Sequence, residues 1–208
     1  MEHSAISSHT QTAIVDASDL RDSPRFTLLV RAAKLVGPQG EFVCVIRDVS
    51  ETGVSVRLFH EIPQGETLEL QMPGGGAYPI RPVWARDNQA GFEFLQRVDI
   101  AQLIHEAAEY PKRGLRVGVC FPVAMTSLDR TCEGIVENLS QQGAKIECNQ
   151  LFAIDQALLI HGEDFAEVRA KVRWRRNSHY GLVFDDTLTL GEFARLTAEL
   201  QAPGLIVA

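Results

Sequence analysis

The sequence predicts an all-β protein with short helices: two tandem six-stranded antiparallel β-barrels, each followed by a C-terminal helix. Three observations carry this. The chain repeats itself at a near-constant offset of 90 residues. Within each repeat, apolar residues alternate in short runs bounded by Gly/Pro clusters. Each repeat then closes on a helix-start signature.

The repeat is read by self-comparison. Asp48-Val49-Ser50-Glu51-Thr52-Gly53 recurs as Asn138-Leu139-Ser140-Gln141-Gln142-Gly143, and Trp84, Gly91 and Phe94 recur as Trp174, Gly181 and Phe184, all 90 residues on. Arg21 and Arg25 meet Lys112 and Arg116 at an offset of 91. One register held across so long a stretch marks a duplication. The expected division is a polar, disordered or flexible tail over 1–20, a first domain over 21–110 and a second, degenerate one over 111–208.

In chain order, 26–36 is the first strand of the leading unit. Phe42-Val43-Cys44-Val45-Ile46 is a continuous β-rich run, and Gly53-Val54-Ser55-Val56-Arg57-Leu58 and Thr67-Leu68-Glu69-Leu70-Gln71-Met72 alternate. Residues 78–86 and Gly91-Phe92-Glu93-Phe94 complete six. Gly37-Pro38-Gln39-Gly40, Pro63-Gln64-Gly65 and Pro73-Gly74-Gly75-Gly76 separate them. Six short strands with few helices between them favour a closed antiparallel barrel, since closure removes exposed edges.

Asp99 is an expected N-cap with Gln102 three residues on, ahead of Ile100, Leu103, Ile104, Ala107 and Ala108. Thr189 and Glu192 form a second capping box ahead of Phe193, Leu196 and Leu200. Such apolar faces need cover: the home barrel, or a second copy in a homodimer.

Composition narrows the function. With 45% hydrophobic and 23% charged residues the chain reads as a globular protein. The net charge of −7 sits largely in connectors: residues 1–20 hold Glu2, Asp16 and Asp19, and 99–111 hold Asp99, Glu106 and Glu109, both without Lys or Arg. An acidic chain repels a polyanion at long range, so no nucleic-acid partner is expected, while a local Arg cluster can still hold a small dianion. Cys44, Cys120, Cys132 and Cys148 form no CxxC pair and sit in or beside apolar stretches, which reads as reduced, core-packed thiols and no metal site. No apolar run is long enough for a signal peptide or membrane insertion, so the expected location is cytoplasmic. The histidines are scattered, and no nucleophile elbow or HExxH occurs, so no enzyme is expected.

Two short motifs remain. Arg21-x-x-x-Arg25 alone reads equally as a solvated charge pair at the end of a tail. Asp48-x-Ser50-x-x-Gly53 alone reads as a strand-ending turn in which Asp and Ser bond backbone amides and Gly supplies positive φ. Together, in this order, with Trp84…Gly91-x-x-Phe94 closing the unit, they resemble the PilZ family over 21 to about 98, and more loosely over 112–187. The resemblance implies PilZ-like barrels that bind cyclic di-GMP, a bacterial second messenger, with Arg21, Arg25, Asp48, Ser50 and Gly53 as the binding set.

Chemistry supports that set. A guanidinium pairs with phosphate oxygens, forks onto guanine O6 and N7, or stacks on a base. Asp48 and Ser50 can take the guanine N1–H and N2–H donors, and Gly53 lets the chain turn tightly beside the ligand. Ligand that recruits Arg21 and Arg25 is expected to order the junction of tail and barrel, a change that a downstream protein partner could read.

The second unit departs from the pattern. Lys112-Arg113-Gly114-Leu115-Arg116 places Lys where the first Arg should be, with Arg113 adjacent, while Asn138, Ser140 and Gly143 keep the second motif. It is expected to give a weaker site, or one in which Arg113 substitutes with a one-residue shift, or a docking barrel. Arg173-Trp174-Arg175-Arg176 reads as a solvated strand face with Trp174, like Trp84, in the core. The alternative for the whole chain is a protein–protein interaction module whose nucleotide site is vestigial.

Overall fold

Alternating side chains close each half of the chain into a barrel. The computed structural model describes residues 26–103, 114–128 and 130–206. The first half runs β1 (Phe26–Gly37), β2 (Gly40–Val49), β3 (Gly53–Arg57), β4 (Leu68–Gln71), β5 (Ala77–Arg86) and β6 (Gln89–Phe94). These strands close in the order β1-β2-β3-β6-β5-β4. The second half repeats them as β7 (Arg116–Ser127), β8 (Arg130–Ser140), β9 (Gly143–Glu147), β10 (Ala157–His161), β11 (Val168–Arg176) and β12 (His179–Phe184), in the equivalent closed order. All pairings are antiparallel. The expected domain boundaries at 20/21 and 110/111 lie outside the described residues.

Turn chemistry sets the registers. Asp87 and Asn88 both adopt positive φ, 50° and 60°, and Arg86 pairs with Gln89, so β5 and β6 are joined by a two-residue turn whose twist matches the strands. The run from Pro73 forms the β4–β5 hairpin tip, closed by Met72 N–H to Gly76 O at 2.8 Å.

Each barrel fills its own interior. Leu35, Phe42, Ile46, Leu70 and Ile80 are fully buried in the first, and Met125, Leu139, Ile146 and Ile160 at most 1% exposed in the second. The unbroken apolar run of β2 has a specific cause. Phe42, Cys44 and Ile46 point into the first barrel, whereas Val43 packs with the core of the second. Both faces of β2 are covered, so alternation disappears there.

Helix α1 starts at residue 100 and is described through 103. Asp99 caps it, accepting from Ala101 N at 2.8 Å and Gln102 N at 3.3 Å. Helix α2 (Leu190–Gln201) carries the expected capping box: Thr189 Oγ1 accepts from Glu192 N, and Glu192 Oε2 accepts from Thr189 N. Its packing differs from a simple home-barrel dock. Phe193 and Ala194 join the second core, while Ala198, and Leu205 from the short 3-10 turn Pro203–Leu205, join the first. The helix is a shared wedge between barrels.

Polar contacts fix that seam. The Gln201 carboxamide accepts from Glu41 N at 2.9 Å and donates to Glu41 O at 2.8 Å. The Glu41 carboxylate accepts from Lys34 Nζ at 2.8 Å and from Gly118 N, on β7, at 2.7 Å. One side chain thus ties β1, β2 and β7 together.

Candidate ligand groove

The Asp-x-Ser-x-x-Gly segment forms the tight connection between β2 and β3. Ser50 N–H donates to Gly53 O at 2.8 Å, and Ser50 Oγ accepts from Gly53 N at 3.1 Å. The second unit builds the same turn, with Ser140 Oγ donating to Gly143 O at 3.1 Å. Gly53 is there for a different reason from the positive φ that a turn glycine usually supplies. A Cβ at Gly53 would lie 2.9 Å from the Phe92 carbonyl oxygen, and one at Gly143 would collide with the Leu182 carbonyl. Glycine at these positions lets β3 and β9 pair closely with β6 and β12.

On the outer wall of the first barrel, this turn borders a groove of about 480 Å³. Asp48, Ser50 and Gly53 line it, together with Ser55, Val83, Trp84, Gly91, Glu93 and Arg97, among others. Strand register explains the convergence: Asp48 is opposite Ser55, Ser55 opposite Gly91, and Gly91 opposite Trp84. The four residues form one row across β2-β3-β6-β5. Asp48 Oδ2 accepts the Ser55 hydroxyl at 3.1 Å. The Arg97 guanidinium is paired with Glu51 at 2.8 Å, and Glu93 with Arg81 at 2.8 Å.

Trp84 corrects an expectation. The indole is not in the core: Trp84 and Trp174 are 39% and 41% exposed, each lying over a glycine, Gly91 or Gly181, on the outer face of its barrel. Their repetition with a fixed glycine partner was the sequence signal that a surface packing unit, and not a core aromatic, had been duplicated. The cysteines split similarly. Cys44 and Cys148 are buried as expected and Cys132 is half-buried with its Sγ 3.6 Å from Cys148, but Cys120 is exposed.

The row recurs in the second barrel as Asn138, Lys145, Gly181 and Trp174. Arg116, exposed and opposite Ser140, donates through Nη1 to Asn138 Oδ1 at 3.2 Å. The structure therefore brings together Asp48, Ser50 and Gly53 in one barrel, and Arg116, Asn138, Ser140 and Gly143 in the other. Arg21, Arg25, Lys112 and Arg113 lie outside the described residues. Lys145 Nζ lies 2.7 Å from Glu137 Oε2, which holds that carboxyl below the usual carboxylate range, with His179 Nε2 3.3 Å from its other oxygen. Among the described residues, no helix is long and apolar enough to cross a membrane.

A family model described as PilZ domain matches the chain twice, over residues 19–110 and 111–202. No curated protein matches. Among solved structures, similarity is found to the PlzA protein of Borreliella burgdorferi in complex with c-di-GMP, at 12% identity and a TM-score of 0.36, covering 83% of this chain and 88% of that one. It is also found to Bacillus subtilis MotI/DgrA, an inhibitor of motility, at 12% identity and TM-score 0.34, covering 81% and 94%. The K. pneumonia MrkH–c-di-GMP complex is similar at 9% identity and TM-score 0.30, covering 74% and 77%.

Proposed function

Because the chain belongs to the PilZ domain family, one copy in each half, we propose that it is a non-catalytic receptor for cyclic di-GMP whose first site is the groove on the leading barrel. The observation that carries this reading is the row Asp48–Ser55–Gly91–Trp84 beside the Ser50–Gly53 turn: acceptors, a close-packed backbone and an exposed aromatic face line one groove. Guanine offers N1–H and N2–H donors to Asp48, and the indole of Trp84 offers a face for stacking. In this reading Arg21 and Arg25, which match the leading motif of the family, hold the two phosphates, which their forked donors suit.

In this reading the leading segment orders over the groove when ligand binds, and a downstream protein partner reads the change. Arg116, Asn138, Ser140 and Gly143, with Lys112 and Arg113, form a second site. Calorimetric titration of the whole chain with cyclic di-GMP, repeated on Arg21→Ala/Arg25→Ala, tests the assignment. Binding by the wild type and loss of one site in the variant are expected. A wild type that releases no heat of binding and shows no protection in amide exchange at saturating ligand overturns it, and leaves the docking-module alternative.

A further inference from the structure

The row Asp48–Ser55–Gly91–Trp84 recurs in the second barrel, yet its side chains there carry opposite chemistry. Asn138 stands where the first barrel has Asp48, and Lys145 where it has Ser55. The extra residue of the β-bulge in β11 is Arg173; in the equivalent bulge of β5 it is Val83. Ser55 and Val83 both line the first groove. At matched positions the second wall has thus lost a carboxylate and gained an ammonium and a guanidinium.

We infer that the second barrel binds the phosphates of its ligand with Lys145 and Arg173, groups of its own wall strands, in place of the missing leading arginine. This rests on the receptor reading above. Two cations match a ligand with two phosphates, and the neutral Asn138 removes the repulsion that Asp48 would exert on them. Both cations have carboxylate neighbours. Lys145 Nζ lies 2.7 Å from Glu137, with the two side chains 33% and 32% exposed, and Arg173 lies 3.4 Å from Asp155, with 63% and 69% exposed. The exposed Arg173–Asp155 pair is weak, and a dianion outcompetes it, whereas Lys145, half-buried against Glu137, is shared between that carboxylate and the ligand. The lysine stem is long enough to swing between Glu137 and the groove. Trp174, exposed on Gly181, keeps the aromatic face that Trp84 offers in the first barrel. Arg116 adds a third cation beside Asn138.

The test uses the full chain titrated with cyclic di-GMP in the background Arg21→Ala/Arg25→Ala, which silences the first groove. Lys145→Ser/Arg173→Val then installs the first barrel's own residues at one half-buried and one exposed position, with circular dichroism as the check on folding. The remaining site is expected to weaken roughly tenfold or more, and to lose part of its salt dependence, because two charge-assisted contacts go. Lys145→Arg should retain it, and Lys112→Ala/Arg113→Ala should weaken it less than the wall double variant. If the Arg21→Ala/Arg25→Ala protein binds nothing while the wild type binds one equivalent, the inference is overturned and the receptor reading stands. If the wall variants bind as before and Lys112→Ala/Arg113→Ala abolishes binding, the leading segment holds the phosphates and the inference is again overturned. A wild type that binds nothing removes the parent reading itself.

Discussion

The indole of Trp84 lies directly on Gly91, so close that its Nε1 occupies the space a Cβ would need. Trp174 covers Gly181 in the same way. Each pair is a cross-strand neighbour pair, and the first of them lines the groove of the leading barrel.

Gly91→Ala should therefore lift the indole off the sheet. We expect a loss of about 1–3 kcal/mol in urea denaturation, the usual cost of overpacking, and a change in tryptophan emission. Trp84→Ala/Gly91→Ala should recover part of the loss, because the clash has been removed. Equal stability of Gly91→Ala and wild type would show that the indole is free to move.

Gln201→Ala removes both carboxamide bonds to the Glu41 backbone. Leaving a partly buried donor and acceptor unmet costs about 1–3 kcal/mol. Since the bonds join α2 to the first barrel, calorimetry is expected to show one unfolding transition for the wild type and a broadened or split one for the variant, as the barrels uncouple. A sharp, unshifted transition would contradict the wedge role of α2.

His60 makes stability depend on pH. Its ring is buried against Phe42, Nδ1 sits 2.6 Å from Glu61 O, and the Val43 backbone also contacts the ring. Burial lowers its pKa below the ordinary 6.5. A folded pKa below the unfolded one means that the unfolded chain binds more protons, so this contribution is complete above about 6.5 and is lost as pH falls from there toward the folded value. Denaturation midpoints at pH 7.5 and 5.5 should differ more for wild type than for His60→Leu. Identical slopes would show that another group titrates.

Thiol reactivity should follow burial. Burial pushes the Cys132 thiol up to about 12, with Cys148 adding to the rise, and raises Cys44 further. Cys120 is exposed. Under brief alkylation at pH 8, peptide mass spectrometry should find Cys120 labelled first and Cys44 last. Labelling of Cys44 at the rate of Cys120 would mean that the first barrel opens readily.

The strands were legible because each barrel has one wet face, and alternation records it. The run 42–46 was legible as a strand, but not the reason it fails to alternate. Its second face is covered by residues beyond 190, and no local pattern announces a contact between Glu41 and Gln201, 160 residues apart. The Asp48–Gly53 motif was legible as a unit; the use of Gly53 was not, since a glycine required for close strand approach and one required for positive φ look alike in sequence. Trp84 was read as core because large aromatics usually are, and the compensating glycine lies on the neighbouring strand.

Helix α2 also imposes an order on assembly. Ribosomal synthesis delivers β1 through β6 well before Ala198 and Leu205, which complete the first core, and before Phe193, which packs in the second core with Val43 of β2. Until then Val43 lacks the part of its cover that α2 supplies. Truncation ahead of residue 190 should accordingly yield a two-barrel protein whose first barrel is sticky and prone to associate, however well its six strands have closed.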